Sequence, residues 1–164
     1  MDGSAKTVMQ VRSTSFAAGQ TIPTRHTGFG EDLSPELIVD GIPEGTRSLA
    51  VILDDLDAIF QKGEFTHWIA WNIPPTGTVP EGIPAGASIS QPVEACQGKA
   101  WGEHMYRGPK PPRFTRKAHR YRFTVYALDT MLDISTDSDK AALVEAMDAH
   151  VLAQAELFGM RSAH

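Results

Sequence analysis

WGEHMYRGPKPPRFTRKAHRYRFTVYALD, residues 101–129, decides the fold, because a Gly/Pro-restrained loop runs straight into the most convincing strand of the chain. Gly108, Pro109, Pro111 and Pro112 restrict the backbone so far that Tyr106 and the groups around it are held in one shape. The strand then begins at His119. From Tyr121 onward, Tyr121, Phe123, Val125 and Ala127 point to one side while Arg122, Thr124, Tyr126 and Leu128 point to the other. Aromatic and β-branched residues therefore occur on both faces. A strand apolar on both faces is covered above and below, which predicts a central strand with His119 at the mouth of a buried sheet. From such a support a fixed loop can present polar groups to a ligand.

Working outward, SLAVIL, residues 48–53, has the length of a buried strand and delivers Asp54, Asp55 and Asp57 at its end. FTHWIAWNI, residues 65–73, reads as another strand stopped by Pro74 and Pro75. Residues 76–102 are dense in Gly and Pro and too long for a hairpin turn, so they are expected to wrap the sheet. Nearer the start, residues 8–13 and 37–40 read as short strands, and residues 16–23 as extended chain through a turn at Gly19. TRHTGFGEDLSP, residues 24–35, is expected to be a surface loop with His26 an ordinary exposed histidine. At the other end Leu143, Val144, Met147, Val151, Ala155 and Phe158 recur at three- and four-residue steps after N-cap candidates at 135–138. This spacing predicts a helix that contains His150 and stops at Gly159. Strands with Gly/Pro connectors followed by one or two helices predict a mostly β sandwich with C-terminal α-helices.

Length and charge narrow the function. A chain of 164 residues is expected to form a single domain over residues 1–164 and to bury about two-thirds of its unfolded surface without a metal or disulfide. The net charge of -5 opposes broad nucleic-acid binding, which needs a basic face. Arg107, Lys110, Arg113, Arg116, Lys117 and Arg120 nevertheless cluster in or beside the opening stretch, as a basic mouth or as a solvated loop. Cys96 is the only cysteine, so no internal disulfide forms and a reducing compartment is the simpler assignment. No apolar run reaches the ~18 residues of a transmembrane segment and the first ten residues lack the apolar core of a secretion signal, which predicts a cytoplasmic protein.

Asp55, His67, His119 and a phenol on the restrained loop form, if they converge, a small polar pocket that both donates and accepts hydrogen bonds. Its natural guest is a small oxyanion, met by protonated imidazoles and loop N–H groups. Asp55 repels such a guest unless a proton or a ligand cation lies between them, which favours a protonated phosphate monoester or a zwitterionic head group. Asp54, Asp57 and Asn72 have the simpler reading of satisfying strand-end backbone groups.

The ordered segments SLAVILDDLDA, FTHWIAWNIPP, MYRGPKPP and AHRYRFTVYALD, with STSFAAGQTIPTRHTGFGEDLSPEL before and AMDAHVLAQAELFG near the end, resemble the phosphatidylethanolamine-binding protein family, in its bacterial Raf-kinase-inhibitor-like (YbhB/YbcL-type) branch. The resemblance implies a sandwich of two antiparallel sheets with a ligand pocket at one end and a C-terminal helix close by. It implies an anion pocket built from Asp55, His67, His119 and Tyr121, with a proline loop from Gly108 through Lys110 and Pro111 to Pro112 and Tyr106 beside it. Departures fall on the rim: Asp55-Leu56-Asp57-Ala58-Ile59 lacks both prolines of the family's DPDAP-like motif, and Lys110 stands where bacterial relatives often have Cys. Lost loop stiffness and a more basic rim are the expected consequences. The implied function is binding of a phosphate ester or phospholipid head group, without cofactor, metal or catalytic residue. The alternative is regulation of a kinase or other enzyme docked at the pocket end. Hydrolysis is the least favoured, since the chain has no G-x-S-x-G elbow, no H-E-x-x-H and no Gly-rich phosphate loop. Relatives leave room for a homodimer.

Overall fold

SLAVILDD is buried at every position, and this places β3 (Ser48–Asp55) at the centre of a sheet. In the computed structural model, which describes residues 8–58 and 64–163, β3 lies between β4 (Phe65–Ile73) and β8 (His119–Leu128), antiparallel to both. The sheet extends beyond β4 to β7 (Ala95–Gln97) and β6 (Ser88–Ile89), and beyond β8 to β9 (Val151–Arg161). A smaller sheet joins β1 (Gln10–Arg12), β2 (Leu37–Asp40) and β5 (Thr78–Val79). The Gly/Pro-rich stretch after β4 thus contributes β5, β6 and β7, strands too short to show periodicity.

Alternation along the central strands fills two cores. Leu49, Val51, Leu53, Trp68, Ala70, Tyr121, Phe123 and Val125 meet Val11, Leu37, Val39 and Val79 of the small sheet, making the interior of the sandwich. The opposite side chains, Ala50, Ile52, Ile69, Trp71 and Leu128, pack against Leu132, Leu143 and Met147. Leu143 and Met147 belong to the helix α1 (Lys140–Met147), so this element covers the outer face of the large sheet. Its cap is Asp139, one residue past the N-cap candidates, whose carboxylate accepts the Ala142 N–H at 2.9 Å. The buried Asp54 ties the helix down: its carboxylate accepts from Thr66, Arg122 and Lys140 at 2.7–3.0 Å.

The tail departs from the helical expectation. The helix ends at Met147, and Ala149 adopts φ 67, a left-handed turn that reverses the chain into β9. His150 stands in this turn and bonds Asp129 through Nδ1 at 2.8 Å. Ala153, Ala155, Leu157 and Gly159 face inward while Leu152, Gln154, Glu156 and Phe158 are exposed, a period of two hidden beneath helix-favouring residue types. Pairing with the ten-residue β8 outweighs that propensity. The C-terminal cap therefore contains one helix rather than several.

Gly159 is accordingly a site of close approach and not a helix stop. A Cβ there would lie 2.5 Å from Ile22 Cγ1 and 2.9 Å from Phe16, whose segment crosses the end of β9 through the Ile22 N–H bond to the Met160 carbonyl. Gly159→Ala is expected to destabilise the fold by about 1–3 kcal/mol in chemical denaturation, through overpacking.

Candidate functional site

The alternation that sends Leu49, Val51 and Leu53 into the sandwich sends Asp55, the last residue of β3, toward the same side, in register with Tyr121 of β8. Asp55 is buried, and each of its oxygens has a neighbour: Oδ2 accepts the Nδ1–H of His119 at 2.8 Å and Oδ1 accepts the Asp57 N–H at 2.8 Å. A carboxylate oxygen is an acceptor only, so His119 donates from Nδ1 and its orientation is fixed. Its other nitrogen, Nε2, is buried without a hydrogen-bond partner among the described residues.

His67 approaches from β4. Its Nδ1–H donates to the Arg107 carbonyl at 2.8 Å, and burial holds its pKa below the ordinary imidazole value against the raising pull of that carbonyl and of Asp55. Rings enclose it edge-on: Trp101 at 4.8 Å, Phe65 at 5.5 Å and Tyr121 at 5.6 Å between centroids. The Tyr121 hydroxyl is pushed well above its ordinary pKa by burial and then by Asp55, so it stays protonated and serves as a donor. These groups share a cavity of about 320 Å3 with Ala58, Phe65, Trp101, Lys110, Pro111 and Pro112. Asp55, His67, Lys110, Pro111, His119 and Tyr121 of the expected site therefore meet in one place.

Tyr106 and Gly108 do not line that cavity. Tyr106 points inward, donates its hydroxyl to the His26 carbonyl at 2.6 Å and packs edge-on to Trp68. Gly108 donates its N–H to Asp32 Oδ1 at 2.8 Å, and a Cβ on it would collide with the His26 carbonyl oxygen. Both hold the loop rather than face a guest. The segment they grip is residues 24–35, expected to be a surface loop, yet His26 and Thr27 are fully buried. Instead of an exposed histidine, His26 is a brace: Nδ1 donates to the Leu33 carbonyl at 2.9 Å, Nε2 accepts from Arg25, and burial lowers its pKa. The same loop presents Gly28, whose N–H donates to the Pro109 carbonyl at 2.9 Å.

Sequence reasoning missed the aromatic wall of Phe65 and Trp101, which Pro112 of the expected proline loop completes. Phe65 was legible, since it stands two residues before His67 on the same side of a strand. The missing prolines of the Asp55 segment are compensated over its described part, residues 55–58. The Asp57 N–H bond to Asp55 closes the turn, Leu56 donates its N–H to the Arg120 carbonyl at 2.9 Å, and Asp57 accepts three bonds from Arg120. Ile59 lies outside the described residues. The basic mouth also thins: Arg120 is spent on Asp57, and Arg107 sits 4.6 Å over the Trp101 ring.

Comparison with known proteins agrees with this architecture. The sequence model described as phosphatidylethanolamine-binding protein matches residues 12–162. A UPF0098 protein of Pyrococcus horikoshii is 41% identical over 159 residues, covering 96% of this chain and 78% of that relative. A UPF0098 protein of Methanothermobacter thermautotrophicus is 41% identical, covering 93% and 97%. Among solved structures, a phosphatidylethanolamine-binding protein homologue of Chlamydia trachomatis, CT736, superimposes with a TM-score of 0.83 at 34% identity, covering 94% of this chain and 97% of that one. E. coli YbcL, described as a member of the mammalian family, gives 0.81 at 31%, covering 95% and 99%. Matched over nearly its whole length in both sequence and fold, the chain belongs to the phosphatidylethanolamine-binding protein family.

Proposed function

We propose that the chain binds a small phosphorylated or otherwise anionic ligand, a phosphate ester or phospholipid head group, in the cavity between Asp55, His67, His119 and Tyr121. The observation behind this reading is the buried Nε2 of His119, which has no partner while Nδ1 is fixed by Asp55. An unmet buried polar atom beside a cavity costs about 1–3 kcal/mol, and Nε2 recovers that loss by accepting from a protonated phosphate oxygen or, as imidazolium, by donating to a charged one. Tyr121 offers an O–H donor and Lys110 a charge at the edge. An acidic proton on the guest, or an amine, relieves its repulsion from Asp55.

Binding without turnover is part of the proposal. The Tyr121 hydroxyl is far from ionising, and both Asp55 oxygens are engaged, so neither is poised as a nucleophile. Among the described residues no helix is long and apolar enough to cross a membrane.

Titration calorimetry with O-phosphoethanolamine tests the reading directly. Binding by the native chain and a loss of about tenfold or more in His119→Ala are expected, since a charge-assisted bond contributes roughly 1.5–3 kcal/mol. Absence of binding at millimolar concentrations would sink it. Lys110→Ala should weaken binding only about two- to fivefold at low salt, the difference vanishing in high salt because a rim charge is screened.

The pH response follows from His67. Its lowered pKa means that near neutrality it is uncharged, so anion binding gains from protonating it only as pH falls below the ordinary ~6.5. A guest of constant charge isolates the protein's part, because a phosphate monoester titrates near pH ~6 itself. Methyl sulfate affinity is therefore expected to be level between about pH 7 and 8 and to rise on acidification below ~6.5, and His67→Gln should flatten the rise.

A further inference from the structure

The loop after the prolines closes a second recess that the binding proposal leaves unused. It encloses about 520 Å3 and is lined by Thr115, Arg116, Lys117, Ala118, Arg120 and Met160, together with Asp57 and, on the wall shared with the first cavity, His119. Among the described residues no carboxylate lies within ion-pair distance of Arg116 or Lys117, although the whole chain carries an excess of acids. Asp57 is the acid facing this space, and its two oxygens are already bound by Arg120, through Oδ2 to both N–H and Nε and through Oδ1 to Nη2. Its charge is therefore compensated locally. The hydroxyl of Thr115 is buried without a hydrogen-bond partner among the described residues. Two unpaired cations, a buried hydroxyl with nothing to bond and a neutralised acid make a recess suited to a second anionic group.

We infer that the physiological ligand bears two anionic groups on a short linker, one in the Asp55–His67–His119 cavity and the other in the Thr115–Arg116–Lys117 recess. This rests on the proposed occupancy of the first cavity and extends it to a substrate class, small bisphosphates or related dianions. His119 lines both spaces, so a linker that passes over this shared wall would bring one anionic group to each side, and linking two weak contacts multiplies their affinities only when the linker fits the gap. Selectivity would then lie in linker length.

Calorimetry with a series of α,ω-alkanediol bisphosphates of increasing chain length, against the matching monophosphates, tests the inference on the full chain. One length is expected to bind at least about tenfold tighter than its monophosphate. Arg116→Gln combined with Lys117→Gln should abolish that gain and leave monophosphate affinity within about twofold, since neither residue lines the first cavity. Thr115→Val should remove part of the gain, roughly threefold, without the salt sensitivity of the double variant. Monophosphate binding with no gain at any length overturns the second subsite alone. A gain that persists in the double variant overturns it as well. Loss of both monophosphate and bisphosphate binding overturns the first cavity's role and this inference with it.

Discussion

Asp55 is the hinge between fold and site. It terminates a strand whose residues are all buried, and both of its oxygens are engaged, one by the imidazole of His119 and one by the backbone of Asp57. The His119 bond crosses to the neighbouring strand and sets which ring nitrogen is left over. The Asp57 bond shapes the turn that follows. Substituting the carboxylate would release a histidine and a loop together. Asp54, one position earlier, shows what alternation does to two adjacent acids. It turns to the opposite face, meets Arg122 and Lys140, and fastens α1 to the sheet.

The loop around Gly108 is held from behind. Tyr106, Gly108 and Pro109 bond to the segment containing His26, Gly28 and Asp32, which lies far earlier in the chain. Glycine is required at position 108 because the His26 carbonyl occupies the volume of a Cβ, not because of its backbone angles. Burial raises the Asp32 pKa, while the Gly108 N–H counters that rise. The proline loop therefore borrows its rigidity from a polar junction more than from its own prolines, and that junction is part of the wall of the sandwich.

How much of this was legible follows from range. The bounds of β2, β4 and β8 could be read because apolar pattern and proline stops are local signals. Convergence of Asp55, His67 and His119 followed from family likeness, and no spacing would have placed them together. The His26 brace was illegible, since burial of a histidine in a Gly-rich loop depends on a carbonyl, an arginine and a tyrosine contributed by other segments. The tail was misread for a different reason. Ala, Gln, Glu and Leu favour helix in isolation, yet the inward set Ala153, Ala155, Leu157 and Gly159 is small enough for another segment to cross it. Counting matches at a period of two beside those at three and four would have exposed the conflict.

Rigidity and charge are assigned to separate residues at this end of the molecule. In place of the prolines that the resemblance implied after Asp55, this chain uses the Asp57–Arg120 chelate and the Leu56 N–H bond. The turn is thereby anchored to β8, and one arginine is withdrawn from the rim. Lys110 keeps its charge at the cavity edge while its aliphatic stem packs against Gly28, where a Cβ would lie 2.9 Å from its Cδ. The histidine–carboxylate core stands on the sheet, and His67 is held in addition by the Arg107 carbonyl of the loop that carries Lys110. Substitutions in this loop that keep the Arg107 carbonyl in place would change the charge at the cavity edge without moving the core.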